Sequence, residues 1–295
     1  MKILLITGGD SSEREVSFLS ANNVKKVLEE NRREVLLYDL CHGYDPIVKL
    51  SENYNILFPV LHGEEGEGGK LHKFLSKLGK PIVGTRSYKG LHDAWLKIPF
   101  KEYCDKNGIK TAGWKIVSNE QEVLEFGFPC VLKASNGGSS KEVVLLSSAE
   151  DLKRGDSLGI LKMKDIFVEK LIEGIEVTVG ILNDEVLPII EIVPTKHKWF
   201  SFDAKYDEST KEIPFAPSVD EQTQNELKRV TKKIRDDFDL GSYLRVDYIV
   251  SGKDFYALDV NTIVGLTAGS LYPKMAKAAG LSFGEFLEEL LKAAN

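Results

Sequence analysis

The sequence predicts an α/β fold that turns to α+β in its C-terminal part, and three stretches carry the prediction. Residues 3–7, Ile-Leu-Leu-Ile-Thr, form a short apolar strand that breaks at Gly8-Gly9 and runs into a helix start. Residues 55–60 form another strand, ending in the acidic loop His62-Gly63-Glu64-Glu65-Gly66-Glu67-Gly68-Gly69. Such a loop at the carboxyl end of a parallel strand is where ligands bind in open sheets. Residues 244–261 alternate apolar and polar side chains on either side of Ser251-Gly252-Lys253, the pattern of an antiparallel hairpin.

The first helix runs to about residue 30. Ser12 followed three residues later by Glu15 is a capping-box pattern. Glu13 has two readings: an acid that complements the helix dipole, worth ~0.3 to 1 kcal/mol, or a substrate contact. Gly8-Gly9 lacks the spacing of the dinucleotide fingerprint. A second strand at 34–40 and a helical segment near 47–51 precede the strand at 55–60, and an amphipathic helix starts at Lys70. His62 either lines a site or is a structural histidine. A helix from 96 to about 107 stops at Gly108, a residue suited to that end, and a new run of strands begins at Trp114.

Residues 128–133 form a buried strand with Lys133 at its end, followed by Ala134-Ser135-Asn136-Gly137-Gly138-Ser139-Ser140. Backbone N–H groups of such a loop can close over phosphate oxygens, with the lysine as a point charge beside them. The Gly-Lys-Ser/Thr order of a P-loop is missing, and a plain turn fits as well. Strands follow at 166–171, 176–182 and 187–193, with a turn at Glu173-Gly174. The polar stretch 194–217 has the length of a lid or a disordered segment. An amphipathic helix at 222–237 leads into the hairpin, and the loop 264–270 and two helices close the chain. The expected units are an N-terminal α/β domain, 1–85, a small central subdomain, 86–172, and a C-terminal domain, 173–295, carrying the lid 194–217.

The hairpin holds the most telling residues. Asp247, Asp259 and Asn261 are hard oxygen donors, and alternation puts them on one face. Magnesium takes a few such oxygens and leaves its remaining positions to water and phosphate. Arg245 shares that face and could meet a developing anion. An edge hairpin with solvated acids and one ion pair is the alternative.

Composition narrows the function classes. The 295 residues are 42% hydrophobic and 28% charged, with a net charge of −6, so a general nucleic-acid surface is not expected. Residues 1–6 are too short for a signal-peptide core, and no apolar run approaches membrane-spanning length. A cytoplasmic protein without membrane or nucleic-acid partners is expected. Cys41, Cys104 and Cys130 have no paired spacing, which predicts free buried thiols.

Five stretches in order carry a family resemblance: Gly8-Gly9 with Ser12 to Ser17; Leu61-His62-Gly63; Lys133 with Gly138-Ser139-Ser140; Ala204-Lys205-Tyr206; and Arg245-Val246-Asp247 with Asn261-Thr262, Gly265, Thr267 and Ser270. Together they resemble the D-alanine–D-alanine ligases of the ATP-grasp superfamily, over nearly the whole chain. The resemblance implies an ATP-grasp fold preceded by a parallel-sheet domain, and a homodimer. It implies ATP as co-substrate and two magnesium ions, with manganese as a substitute. Lys97, Lys133 and Lys205 would reach phosphate; Glu169, Lys170 and Leu171 would face adenine through backbone groups; Glu176 would take the ribose hydroxyls. Asp247, Asp259 and Asn261 would bind the metal. Glu13 would orient the ammonium of the first D-alanine and link with Ser139 and Tyr206 across the closed lid. Arg245 and the N–H of Gly265 would stabilise the oxyanion, and Ser270 would receive the second carboxylate.

The implied reaction passes through an acyl phosphate, for which no protein nucleophile is needed, and serves peptidoglycan precursor synthesis. The Lys205-Tyr206 pair implies a dipeptide product, since relatives that make D-alanyl-D-lactate lack this tyrosine. Departures from the family pattern are Asp259 in place of glutamate, Gly68 in place of an acid, Lys141-Glu142 in place of Val-Gly, and Val264 in place of proline. Trp95-Leu96 before Lys97 also departs. Two alternatives follow: a ligase of another amino or hydroxy acid, and a nucleotide-binding relative without catalysis.

Overall fold

The structure, a computed structural model, describes residues 1–11, 13–85, 87–138, 142–196 and 209–294. Three sheets follow one another along the chain. The first is parallel: β1 (Lys2–Thr7) lies between β2 (Glu34–Asp39) and β3 (Ile56–Pro59). Its central strand is buried on both faces, as a parallel sheet requires. Ile3 and Leu5 pack with Ala21, Val24 and Leu28 of α1 (Arg14–Glu30), while Leu4 and Ile6 pack with Ile47 of α2 (Asp45–Ser51) and Leu71 of α3 (Lys70–Leu75). Gly8 turns the chain at φ 79°, and a Cβ there would lie 2.1 Å from Asp39 Oδ1. Only glycine fits.

Two helices, α4 (Tyr88–Trp95) and α5 (Lys97–Asn107), lead to the second sheet. Gly108 caps α5 at φ 65°, as its position predicts. The second sheet is antiparallel, in the order β4 (Trp114–Val117), β7 (Ile166–Lys170), β5 (Cys130–Ala134), β6 (Val143–Leu146). Leu132, Val144 and Val168 share a core with Val123 of α6 (Glu120–Phe126) and Ile160 of α7 (Gly155–Ile160).

The third sheet runs β11 (Thr210–Pro214), β10 (Ile190–Pro194), β8 (Ile175–Leu182), β12 (Tyr243–Ser251), β13 (Asp254–Asn261), with β9 (Glu185–Val186) paired to β8. Alternation divides its two faces. Leu244, Val246, Tyr248 and Val250 pack with Leu227, Val230 and Ile234 of α8 (Glu221–Asp237), which leaves Arg245, Asp247 and Ile249 for the other face. Finally α9 (Leu271–Ala278) and α10 (Phe283–Lys292) return to the first sheet, where Tyr272, Met275, Phe286 and Leu290 join the core of Ile3 and Leu5.

Several expectations are corrected. Helix α1 has Glu13 at its N-cap with no side-chain capping bond; Ser12, the serine of the expected capping box, lies outside the described residues. The stretch 194–217 is not all loop: β11 pairs antiparallel with β10 from Thr210 to Pro214, because its backbone completes the open edge of β10. Residues 197–208 of that stretch, with Lys205 and Tyr206, lie outside the described residues. Cys41 is an exposed thiol, whereas Cys104 and Cys130 are buried and free; it sits in the short turn after β2, where no core covers it.

Candidate functional site

The second and third sheets face each other across a cavity of about 950 Å³. Its walls divide by chemistry. Val131, Leu145, Ile172, Ile249 and Leu258 supply an apolar part, and Lys97, Lys133, Asp247, Asp259 and Asn261 supply a charged part. Glu169, Lys170, Leu171 and Glu176 line the crossing from β7 to β8. Nine of the ten residues expected to hold nucleotide or metal therefore meet in one cavity, and the tenth, Lys205, lies outside the described residues.

Hairpin register explains the convergence of the acids. Asp247 pairs with Asp259 and Arg245 with Asn261, and the register then slips so that Tyr248 pairs with Ala257. The slip leaves Leu258 as an extra residue, a β-bulge that lets both Leu258 and Asp259 border the cavity. Asp247 is heavily bonded: Arg245 Nε donates to Oδ1 at 2.9 Å and Nη2 to Oδ2 at 3.1 Å, Thr178 Oγ1 donates at 2.6 Å, and Asn261 Nδ2 at 3.0 Å. Burial disfavours the Arg245 guanidinium, but the adjacent Asp247 carboxylate more than offsets that and holds its proton tighter than usual.

The lysines are arranged by acids and carbonyls. Lys97 donates to the carbonyl of Gly137 at 2.9 Å and lies 3.9 Å from Asp259 Oδ2. Lys133 sits 2.5 Å from Glu169 Oε1, and Lys101, one turn deeper than Lys97 on α5, sits 2.5 Å from Glu169 Oε2. These three side chains are almost wholly buried, Lys101 at 1%, Glu169 at 3% and Lys133 at 9% exposure. Burial alone would push the Glu169 carboxyl up, yet the two ammonium groups hold it below the usual carboxylate range. Burial also works against Lys133, but Glu169, with Asp259 and Glu176 farther off, makes it hold its proton more tightly. At Lys101 burial prevails, and the nearby Lys133 charge adds to it, so that proton is held less tightly.

Glu13, Arg245, Gly265 and Ser270 are not in the wall of this cavity; they stand in or beside a second group that adjoins it. The carboxylate of Glu13 reaches to 2.6 Å from where a Cβ of Gly138 would be, so a side chain there would displace it. His62 is buried near Glu67, Glu13 and Arg245; burial disfavours its protonated form, but its bond to Glu67 and the Glu13 charge outweigh that and raise its pKa. Ser17 of α1 donates to the Glu13 carbonyl and accepts the His62 N–H, at 3.1 and 3.0 Å. The loop before α9 is tied to the same helix, since Leu266 N–H donates to Ser20 Oγ at 3.2 Å and Asn23 Nδ2 to the Leu266 carbonyl at 2.7 Å. Within that loop Ser270 Oγ accepts from Thr267 N at 3.2 Å and lies 2.8 Å from the Cβ position of Gly265. Ser139 lies outside the described residues, as do Lys205 and Tyr206.

Lys101 and Glu67 were given no role by sequence reasoning. The four-residue spacing of Lys101 from Lys97 on one helix was the available signal, and for Glu67 it was the acidic loop. Glu142 also borders the cavity, its Oε2 lying 2.5 Å from the Cβ position of Gly137. As a metal-binding set, two carboxylates and a carboxamide suit a hard cation such as magnesium. The amide nitrogen of Asn261 is spent on Asp247, which leaves its oxygen as the ligating end. Away from the cavity, Asp39, Cys41 and His42 also cluster among the described residues, but there Arg14 holds both Asp39 oxygens.

A family model described as the C-terminus of D-Ala-D-Ala ligase matches residues 97–292. Similar proteins include the D-alanine–D-alanine ligase of Maridesulfovibrio salexigens, 33% identical over 99% of this chain and 98% of the relative. The ligase of Geobacter sulfurreducens is 34% identical over 100% and 94%. Among solved structures, the D-alanine–D-alanine ligase of Bacillus anthracis complexed with ATP matches with a TM-score of 0.82 and 25% identity, covering 99% of this chain and 96% of that one.

Proposed function

Because the chain belongs to the D-alanine–D-alanine ligase family, we propose that it joins two D-alanine molecules into D-alanyl-D-alanine, with ATP converted to ADP and phosphate. The observation that carries this reading is the shared cavity, whose lining combines an apolar part, suited to a base, with Lys97, Lys133, Asp247, Asp259 and Asn261. The Bacillus anthracis relative with ATP bound supports the nucleotide.

In this reading the carboxylate of the first D-alanine attacks the γ-phosphorus of ATP, ADP departs, and an acyl phosphate results. The amine of the second D-alanine then attacks the acyl carbon, and phosphate leaves with the oxygen that bridged carbon and phosphorus. Lys97 and Lys133 offset phosphate charge, joined by Lys205 from the lid; Glu176 takes the ribose, and the backbone of Glu169, Lys170 and Leu171 the adenine. Asp247, Asp259 and Asn261 would hold magnesium, which would supply neutralisation of phosphate charge. Glu13, with Ser139 and Tyr206, orients the first ammonium, and Ser270 receives the second carboxylate. Arg245 and the Gly265 N–H face the tetrahedral oxyanion; one such donor is worth ~3 to 4 kcal/mol. The burial of Lys133, Glu169 and Glu13 supports a site that excludes water from the acyl phosphate. The dipeptide would enter peptidoglycan precursor synthesis in the cytoplasm, made by a homodimer.

The test is ADP release with ATP, magnesium and D-alanine, followed by mass spectrometry. ADP that forms only with D-alanine, together with its dipeptide, is the expected result. Faster release with a different amino or hydroxy acid would assign another substrate.

A further inference from the structure

Lys101 does not border the cavity, yet it is among the most deeply buried charged groups of the molecule. Its ammonium lies 2.5 Å from Glu169 Oε2, while Lys133 holds the other oxygen of the same carboxylate at 2.5 Å. Two further contacts anchor it. Lys101 Nζ donates to Thr111 Oγ1 at 2.7 Å, and that hydroxyl donates to the carbonyl of Ala257 on β13 at 3.0 Å. The Phe167 ring lies 5.7 Å away on another side.

We propose that Lys101 is a positioning residue for nucleotide binding: by holding Glu169 from behind, it leaves Lys133 free to pass from that carboxylate to a phosphate oxygen. This inference rests on the nucleotide reading of the cavity. A carboxylate as buried as Glu169 cannot lose its last cation without a large penalty. If Lys133 were its sole partner, drawing Lys133 onto a phosphate would strand the charge, and the nucleotide would have to overcome that cost. With Lys101 fixed on the opposite oxygen, Glu169 stays paired wherever Lys133 points. The cluster also carries two ammonium groups around one carboxylate, a local excess of positive charge. An incoming phosphate supplies the missing anion. The excess thereby favours triphosphate binding and is indifferent to a nucleoside without phosphate.

Calorimetry with ATP and with adenosine, on the wild type, Lys101→Met and the double variant Lys101→Met/Glu169→Gln, tests the inference. Lys101→Met is expected to lose roughly thirtyfold or more in ATP affinity, the scale on which breaking one side of a buried charge pair acts, while adenosine affinity holds. The double variant, which has no buried carboxylate left to seize Lys133, is expected to recover most of the ATP affinity. An equal loss for ATP and adenosine in Lys101→Met, no loss at all, or no recovery in the double variant would overturn the inference. Should Lys101→Met not fold, the double variant decides alone: ATP affinity near that of the wild type upholds the inference, and a loss confined to ATP refutes it. A wild type that binds no ATP would remove the nucleotide reading together with the inference, an outcome distinct from all the others.

Discussion

Arg245 shows how much of the site rests on single side chains. Its side chain is 12% exposed and held by two bonds to Asp247, with its planar end fixed before any substrate arrives. Preorganised donors of this kind act on charge that develops in the transition state, not on the bound ground state. Arg245→Ala is therefore expected to reduce turnover by about a hundredfold or more with ATP affinity nearly unchanged. Steady-state rates beside a nucleotide titration measure both, and near-normal turnover would take Arg245 out of the reaction. The alternation of residues 244–250 made this group legible, because period two puts Arg245 and Asp247 on one face. Lys101 was not legible in the same way. A lysine on a helix reads as part of a solvated face, and only the three-dimensional approach of Glu169 from β7 gives it a buried partner. Cys41 was misread for the converse reason: burial depends on what packs above a turn, which a lone residue type does not encode.

At the scale of elements, helix α1 is the piece on which the second group is assembled. Glu13 stands at its N-cap, Ser17 holds the loop of His62, and Ser20 with Asn23 holds the loop of Gly265 and Ser270. Its start after a glycine turn and its run to about residue 30 were plain in the sequence, whereas the three polar tethers join positions far apart in the chain. Strand β11 was hidden because it is an edge strand with polar side chains, specified by pairing with β10. Helix α3 carries a titration that belongs to this scale. Burial lowers the pKa of His72 to about 4, against about 6.5 in the unfolded chain. A depressed folded-state pKa leaves stability intact above pH ~6.5 and removes it as pH falls toward about 4, because the unfolded chain takes up the proton first. The loss amounts to ~3 kcal/mol across that window. Urea midpoints at pH 7 and pH 4.5 should thus lie closer together in His72→Leu than in the wild type. Equal spacing in both proteins would mean that His72 is not the group that titrates.

For the whole molecule, three sheets in sequence order place a cavity between the second and third and return the last two helices to the first. The order of strands, glycine loops and helices made the α/β and α+β parts legible, and the motifs in order made the family legible. What the sequence left open was the meeting of distant segments, such as Arg33, just before β2, with Glu288 of α10, bonded at 3.0 and 2.6 Å. In the proposed reaction the whole molecule serves one chemical step: the first D-alanine is activated as an acyl phosphate within a site closed to water. Turnover with D-alanine labelled by oxygen-18 in both carboxylate oxygens tests it most directly. The released phosphate should carry one labelled oxygen and the new amide carbonyl the other. Unlabelled phosphate, formed while the dipeptide accumulates, would contradict it.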